Sequence, residues 1–164
     1  MREKKEVRIF IDSERYEIES SLFAGDDVDV LDPLCEDGEV AKPERMQIKT
    51  HGSLEVYDGR VEIAYDETEL TGLEGSRTCV SYGTADVGTV TMLRTGAVST
   101  TLVFEKGKRH HCVYSTPYMP FEVCVRTLDV KNELAQRGTL FIDYIVEIRG
   151  ARAERTRFSM TVIE

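Results

Sequence analysis

The sequence has no tryptophan, and it has no apolar run of the roughly 18 to 20 residues that a membrane helix needs. Its first six residues are charged apart from Met1, so they lack the apolar segment of a signal peptide. The motifs GxSxG, GxGxxG and HExxH and the Walker loop are also absent. We therefore expect a cytoplasmic protein that does not insert into membranes and has no recognisable catalytic motif.

Cysteine is scarce, and the four cysteines show no CxxC spacing. In a cytoplasmic chain of this size we expect them to be reduced and mostly packed. His110, His111 and Cys112 are residue types that bind metals, but neighbours along a strand point to opposite faces and cannot all reach one ion. The sequence therefore predicts no metal site and no cofactor.

Basic residues are too few to balance the acids, and the formal net charge is −9. This charge disfavours nucleic acid and anionic membranes as partners, because both attract clustered Lys and Arg. Residues 24–41 contain no Lys or Arg and seven acids, which are Asp26, Asp27, Asp29, Asp32, Glu36, Asp37 and Glu39. We expect an exposed acidic connection at about 24–44, which is also a candidate for recognising a protein partner.

The chain does show period-2 alternation of apolar and polar residues from residue 45 onward, with turn residues at nearly every break. The dipeptide Asp58-Gly59 predicts a hairpin turn, and 128–137 predicts at most one helical turn. At the start, 3–11 and 16–23 predict two separate strands. The sequence thus predicts a single all-β domain over 1–164, a closed antiparallel up-and-down barrel of about 8–10 strands.

The strongest candidate site is a pair of charges on apolar strand faces. Glu67 shares a face with Val61, Ile63 and Tyr65, and Arg94 shares one with apolar residues of another strand. Two inward charges of opposite sign avoid the cost of burying either one alone, so we expect Glu67 and Arg94 to meet in the interior. The pair either fixes strand register or orients a ligand, and the sequence leaves both interpretations open.

Hydroxyl side chains are the other candidates for a site in the barrel. The predicted ligand-binding residues are Tyr65, Glu67, Arg94, Thr116, Tyr118, Thr127 and Tyr144. Small-molecule pockets typically have apolar walls with a few polar groups. A packed barrel whose hydroxyl groups are hydrogen-bonded within the protein gives the same sequence pattern.

The order of several short segments resembles the YwiB-like family of small bacterial β-barrel proteins. The matching segments are Ile63–Thr68, Gly72 and Gly75, Leu93–Gly96, Ser115–Tyr118, Thr127, and Gly138 leading to Tyr144. The resemblance covers about two thirds of the chain, from about Gly52 onward. It implies a lipocalin-like (calycin-like) fold in a bacterial cytoplasm, and it implies no established reaction.

Three classes of function remain open at this stage. The first is a barrel that binds a small apolar or amphipathic ligand, and the second is a protein-interaction module that uses the acidic connection or the barrel rim. An enzyme that uses the Glu67 and Arg94 region is the third, and the absence of a catalytic motif weighs against it. The sequence does not indicate the ligand, the partner or the oligomeric state.

Overall fold

The computed structural model describes residues 2–18, 35–36, 39–40, 44–67, 75–115, 118–148 and 153–164. Within them the chain forms twelve β-strands and one helix of four residues. In chain order they are β1 (Glu3–Ile18), β2 (Cys35–Glu36), β3 (Glu39–Val40), β4 (Glu44–Tyr57), β5 (Arg60–Asp66), β6 (Ser76–Gly83), β7 (Asp86–Gly96), β8 (Thr100–Glu105), β9 (Arg109–Ser115), β10 (Pro120–Glu133), α1 (Leu134–Arg137), β11 (Thr139–Ile148) and β12 (Ala153–Ile163). The predicted all-β class is confirmed.

Ten of these strands form one antiparallel sheet in the order β8-β7-β6-β5-β4-β1-β12-β11-β10-β9, and β2 and β3 form a separate hairpin. The two outer strands of this order, β8 and β9, follow each other in the chain and lie side by side, so the sheet curls into a nearly closed barrel. Between them we define the seam, where Ser99 and Ser115 form the single bridge among the described residues. The predicted barrel is therefore confirmed, with one unsealed seam.

Turn chemistry explains two of the sharpest features of the fold. Asp58 and Gly59 both have positive φ, 47° and 72°, as a tight hairpin turn between β4 and β5 requires. The helix α1 ends at Gly138, whose φ is 71° and whose N–H donates to the carbonyl of Leu134. The predicted hairpin and the predicted single helical turn are both confirmed. Within the described residues no helix is long and apolar enough to span a membrane.

The N-terminal strand differs from the prediction. Residues 3–11 and 16–23 were expected to form two strands, but β1 is continuous from Glu3 to Ile18. Ser13 lies between the two expected strands, and it pairs with β4 on one side and with β12 on the other. Ladders on both sides hold the strand extended through its polar stretch. Residues 19–23, and the acidic connection apart from β2, β3 and Glu44, lie outside the described residues.

The middle of the barrel is a packed apolar core. Every strand of the large sheet contributes to it, or packs against it, with inward-facing side chains. The most deeply buried members are Ile9, Ile63, Val80, Val90, Phe104, Val125, Leu140, Ile142 and Met160. The core leaves two ends, the α1 end, where α1 and the β4–β5 turn lie, and the Glu67 end, where β5 stops and β6 begins.

A second cluster lies on the outer face of the sheet. Ile145 and Ala153 are buried there, with Tyr16 and Leu128 packed against them. Beside them Arg155 donates to both carboxylate oxygens of Asp143, from Nε at 2.9 Å and from Nη2 at 2.6 Å. This pair is almost fully buried, with 8% and 11% of the two side chains exposed.

Candidate functional site

The predicted pair of charges is present at the Glu67 end of the barrel. Glu67 follows β5 directly, and its N–H donates to the carbonyl of Ser76 at the start of β6. Arg94 Nη2 lies 3.5 Å from Glu67 Oε1, and Thr78 on the strand between them donates its hydroxyl to the same oxygen at 2.6 Å. Arg94 Nε in turn donates to Thr78 Oγ1 at 3.2 Å. The prediction that Glu67 and Arg94 meet in the interior is confirmed.

Strand alternation produces this cluster. Tyr65, Thr78, Arg94 and Thr100 occupy directly paired positions on four neighbouring strands, so their side chains form one inward row across the sheet. Glu67 lies one inward position beyond Tyr65. Its side chain is 3% exposed, whereas that of Arg94 keeps 14% exposed. The carboxylate is therefore enclosed, and the Arg94 side chain is slightly more exposed.

Tyr65 and Tyr144 add two buried phenols to this half of the interior. Burial raises the pKa of Tyr65 above its ordinary value, and the negative charge of Glu67 raises it further. Burial also raises the pKa of Tyr144, whose ring packs against Phe104 with 4.6 Å between the ring centroids. Both phenols stay protonated at neutral pH, so they act as hydrogen-bonding hydroxyls and not as charged groups.

We expect Glu67→Gln to lower the pKa of Tyr65 but not to restore its ordinary value of about 10, because burial remains. A group whose pKa is higher in the folded state than in the unfolded state stabilises the fold. This contribution is complete at pH values below the unfolded pKa, and it is lost as the pH rises through the folded pKa. The ring-carbon Cζ shift of Tyr65, followed by NMR above about pH 10, measures the change. Asp66→Asn, on the opposite face, is the control. An unchanged Tyr65 titration in Glu67→Gln would contradict the expectation.

Thr127 is buried in the barrel wall, and its contacts hold the seam together. Its Oγ1 accepts a hydrogen bond from the N–H of Glu105 at 3.2 Å. Its backbone carbonyl accepts from Gly107 at 2.9 Å, and its N–H donates to the carbonyl of Lys108 at 3.1 Å. These bonds attach the turn between β8 and β9 to β10. The structure thus gives Thr127 a structural role, whereas its predicted ligand contact stays a prediction.

One other predicted hydroxyl, that of Tyr118, does not join the cluster. Tyr118 is 94% exposed, so the expectation that it supplies a hydroxyl to the interior is wrong. It lies in the connection between β9 and β10, where the regular alternation of a strand does not fix which way a side chain points. Thr116 lies outside the described residues.

The three residues at 110–112, whose types can bind metals, point to alternate faces of β9, as the alternation predicted. Cys112 packs against the interior cluster, and His110 shares its face of β9, whereas His111 between them is exposed. Burial raises the pKa of the Cys112 thiol. Among the residues that the structure describes, no group of three or more His, Cys, Asp or Glu side chains could hold a metal ion.

At the α1 end the structure shows an apolar cleft that the sequence did not indicate. Its volume is about 490 Å³, and it is open to solvent on one side. The cleft is lined by Leu54, Val56, Val61, Ile63, Tyr82, Leu134, Ala135, Arg137, Gly138, Val162, Ile163 and Glu164. Alternation identifies most of the strand residues among them as inward-facing, but it places Ile163 on the opposite face of β12 from Val162. It does not indicate that these residues form a cleft, because this depends on the shape of the barrel.

These features define a small antiparallel barrel with a packed centre, an ion pair at one end and an apolar cleft at the other. Residues 35–160 match the domain of unknown function DUF1934, and because this match spans most of the chain, the chain belongs to the DUF1934 family. No curated protein matches the chain in sequence.

The fold is similar to that in the crystal structure of the ywiB protein from Bacillus subtilis. The TM-score is 0.61 at 18% sequence identity, over 95% of this chain and 92% of that one. The resemblance to a YwiB-like family is therefore confirmed. At this identity the likeness shows the fold alone.

Proposed function

We propose that this chain is a lipocalin-like binding protein that holds a small apolar or amphipathic molecule at the α1 end of its barrel, without catalysing a reaction. The observation that carries the proposal is the cleft of about 490 Å³. Small-molecule sites typically measure about 300–1,000 Å³ and combine apolar walls with a few polar groups. The cleft fits this description in both respects.

The walls of the cleft come from rigid parts of the barrel. Val61 and Ile63 on β5 and Tyr82 on β6 are buried and belong to the interior cluster, so they form a preformed apolar surface. Leu134 of α1 packs against that cluster from the rim. An apolar ligand would gain about 25 cal/mol for each Å² of apolar surface that it removes from water here.

Charged groups lie only at the edge of the cleft, which suits an amphipathic ligand. Arg137 and Glu164 line it, and their side chains are 76% and 61% exposed. A ligand with its apolar body in the cleft can therefore keep a polar group in water beside them.

We also propose a bacterial cytoplasmic setting for the protein. Cys79, Cys112 and Cys124 are free thiols, which suits a reducing compartment. The alternative function, recognition of a protein partner through the acidic connection, stays a prediction, because most of that segment lies outside the described residues.

The test uses a variant that fills the cleft with a larger side chain and leaves the core residues unchanged. Ala135 lines the cleft on exposed α1, so Ala135→Trp adds an indole ring there with little strain on the fold. The probe is the amphipathic dye anilinonaphthalene sulfonate, whose fluorescence rises in an apolar site. We expect one saturable site in the wild-type protein and a loss of affinity of about tenfold or more in Ala135→Trp.

The matched control is Ala97→Trp, which adds the same ring to an exposed alanine toward the Glu67 end. This variant should bind the dye as the wild type does. Equal affinities in the wild type and Ala135→Trp would contradict the proposed site. Absence of saturable binding in the wild type, for this dye and for dodecanoate, would contradict the proposed function.

A further inference from the structure

Tyr82 places one hydroxyl in the wall of the apolar cleft. The residue lies on β6 and is 5% exposed, and its cross-strand neighbours Val61 and Val90 carry no polar side-chain group. The other buried residues among the described ones that line the cleft are Val61 and Ile63. Tyr82 is therefore the one buried side chain of this described lining that can form a hydrogen bond.

The hydroxyl of Tyr82 makes no hydrogen bond with the described part of the chain. The two other buried tyrosines there do, since Tyr65 is hydrogen-bonded to Thr78 and Tyr144 to Thr156. Burial alone raises the pKa of Tyr82, with no contribution from a hydrogen bond or a nearby charge. A buried tyrosine usually has a partner for its O–H group, and a phenylalanine would fill the same space without one.

The cleft gives this hydroxyl access to other molecules. The hydroxyl is not fully enclosed, and the cleft of about 490 Å³ that Tyr82 lines is open to solvent on one side. Water can therefore reach the phenol when the cleft holds no ligand. A ligand that fills the cleft displaces this water, and its affinity is lower unless it supplies a hydrogen-bond acceptor in return.

The surroundings of the hydroxyl favour an uncharged acceptor. A carboxylate or a phosphate would lose its hydration here, and none of the buried residues in the described lining carries a positive charge to replace it. Arg137, the one cation of that lining, is 76% exposed, and its Nε lies 3.9 Å from Glu133 Oε2. A carbonyl oxygen loses less on leaving water, and it can accept from the phenol.

We propose that Tyr82 selects the ligand of the cleft by donating a hydrogen bond to an uncharged oxygen acceptor, such as a ketone carbonyl, on the ligand's apolar body. This inference rests on the function proposed for the cleft and narrows it. A plain hydrocarbon would contact the same walls but leave the phenol without an acceptor. A polar end of the same ligand can still lie in water at the edge of the cleft.

The experiment compares acetophenone with α-methylstyrene, in which a CH2 group replaces the ketone oxygen and the shape is kept. Each compound competes with anilinonaphthalene sulfonate, and the ratio of their two affinities is measured in the wild-type protein and in Tyr82→Phe. A change in the affinity for the dye cancels in this ratio. We expect Tyr82→Phe to weaken acetophenone about fivefold relative to α-methylstyrene, as the loss of one uncharged hydrogen bond does.

Tyr118→Phe is the matched control, because it removes the same atom from a tyrosine that is 94% exposed and outside the described lining. This variant should keep the wild-type ratio. Ala135→Trp should weaken the binding of both compounds, because both occupy the cleft. A ratio that Tyr82→Phe leaves unchanged, or an unchanged affinity for the ketone in Ala135→Trp, would overturn the proposal.

Stability provides a second test that needs no ligand. Tyr82→Phe should unfold at the same urea concentration as the wild type or at a higher one, because its hydroxyl has no partner in the described part of the protein. Tyr144→Phe should unfold at a lower concentration, because it loses the hydrogen bond with Thr156. An equal loss in the two variants would mean that the Tyr82 hydroxyl has a partner within the protein, and this too would overturn the proposal.

The outcomes separate this inference from the function proposed for the cleft. If neither the dye nor either compound binds the wild-type protein saturably, the proposed function fails and this inference fails with it. If both compounds displace the dye and Ala135→Trp weakens them, but Tyr82→Phe does not change their ratio, the cleft keeps its function and only the role of Tyr82 is wrong.

Discussion

Gly52→Ala should lower the free energy of unfolding by about 3 kcal/mol, measured by urea denaturation. Gly52 lies in β4, between Val7 of β1 and Tyr65 of β5. A Cβ atom there would overlap the backbone carbonyl oxygen of Ala64 and lie 2.6 Å from the Cδ1 atom of Ile9. The carbonyl cannot move without disturbing the ladder between β4 and β5. The added methyl group therefore strains the backbone of two central strands.

The control is Gly88→Ala in β7. A Cβ atom at Gly88 would meet only the carboxylate of Asp86, at an ordinary contact distance of 3.7 Å. This variant should keep its stability or gain slightly, because alanine has less conformational freedom to lose on folding. Equal free energies of unfolding for the two variants would contradict the prediction that the neighbouring atoms of Ala64 and Ile9 leave no room for a side chain at position 52.

Asp143→Asn should lower the free energy of unfolding by about 3 kcal/mol, because it removes one charge of a buried pair and leaves Arg155 with its charge in a poorly solvated place. The geometry of the pair is bidentate, and Arg157 Nε adds a third contact at 3.8 Å from Asp143 Oδ2. Asparagine keeps the volume of aspartate, so the expected loss reports on charge and hydrogen bonding and not on packing. Thermal and urea unfolding both measure it.

A surface pair with the same geometry provides the control. Arg45 donates to both carboxylate oxygens of Asp12, at 3.1 Å and 2.7 Å, but both side chains are more than one third exposed. Water and salt screen such a pair, so Asp12→Asn should change stability little. A similar loss in the two variants would mean that burial of Asp143 and Arg155 does not determine the strength of their interaction.

Alternation along strands predicted the parts of this molecule that depend on a single strand. It placed Tyr65 and Glu67 on the inner face of one strand and Arg94 on that of another, and electrostatics then required the two charges to meet. The turn at Asp58-Gly59 was predictable for a similar reason, because the positive φ angles of the turn restrict the residues that can form it.

Other features depend on how distant strands meet, and alternation contains no information about that. Tyr118 follows a strand end, where the inward and outward positions no longer alternate regularly, and it is exposed. The cleft could not be predicted from alternation either, since it is formed by four strands (β4, β5, β6 and β12) together with α1, Gly138 and Glu164.

The sheet order also has a consequence for how the barrel assembles. In the large sheet most strands pair with the strand before or after them in the chain, and the exception is the pairing of β1 with β12. These first and last strands of the barrel pair through a continuous ladder from Arg8↔Ile163 to Ile18↔Ala153. Bringing together the two ends of a chain carries a large loop-closure entropy, which slows folding. The local hairpins between β4 and β8 and between β9 and β12 can form early, and the pairing of β1 with β12 then completes the ring. The rate of folding should therefore depend on this one ladder, whereas the seam opposite it influences the rate little.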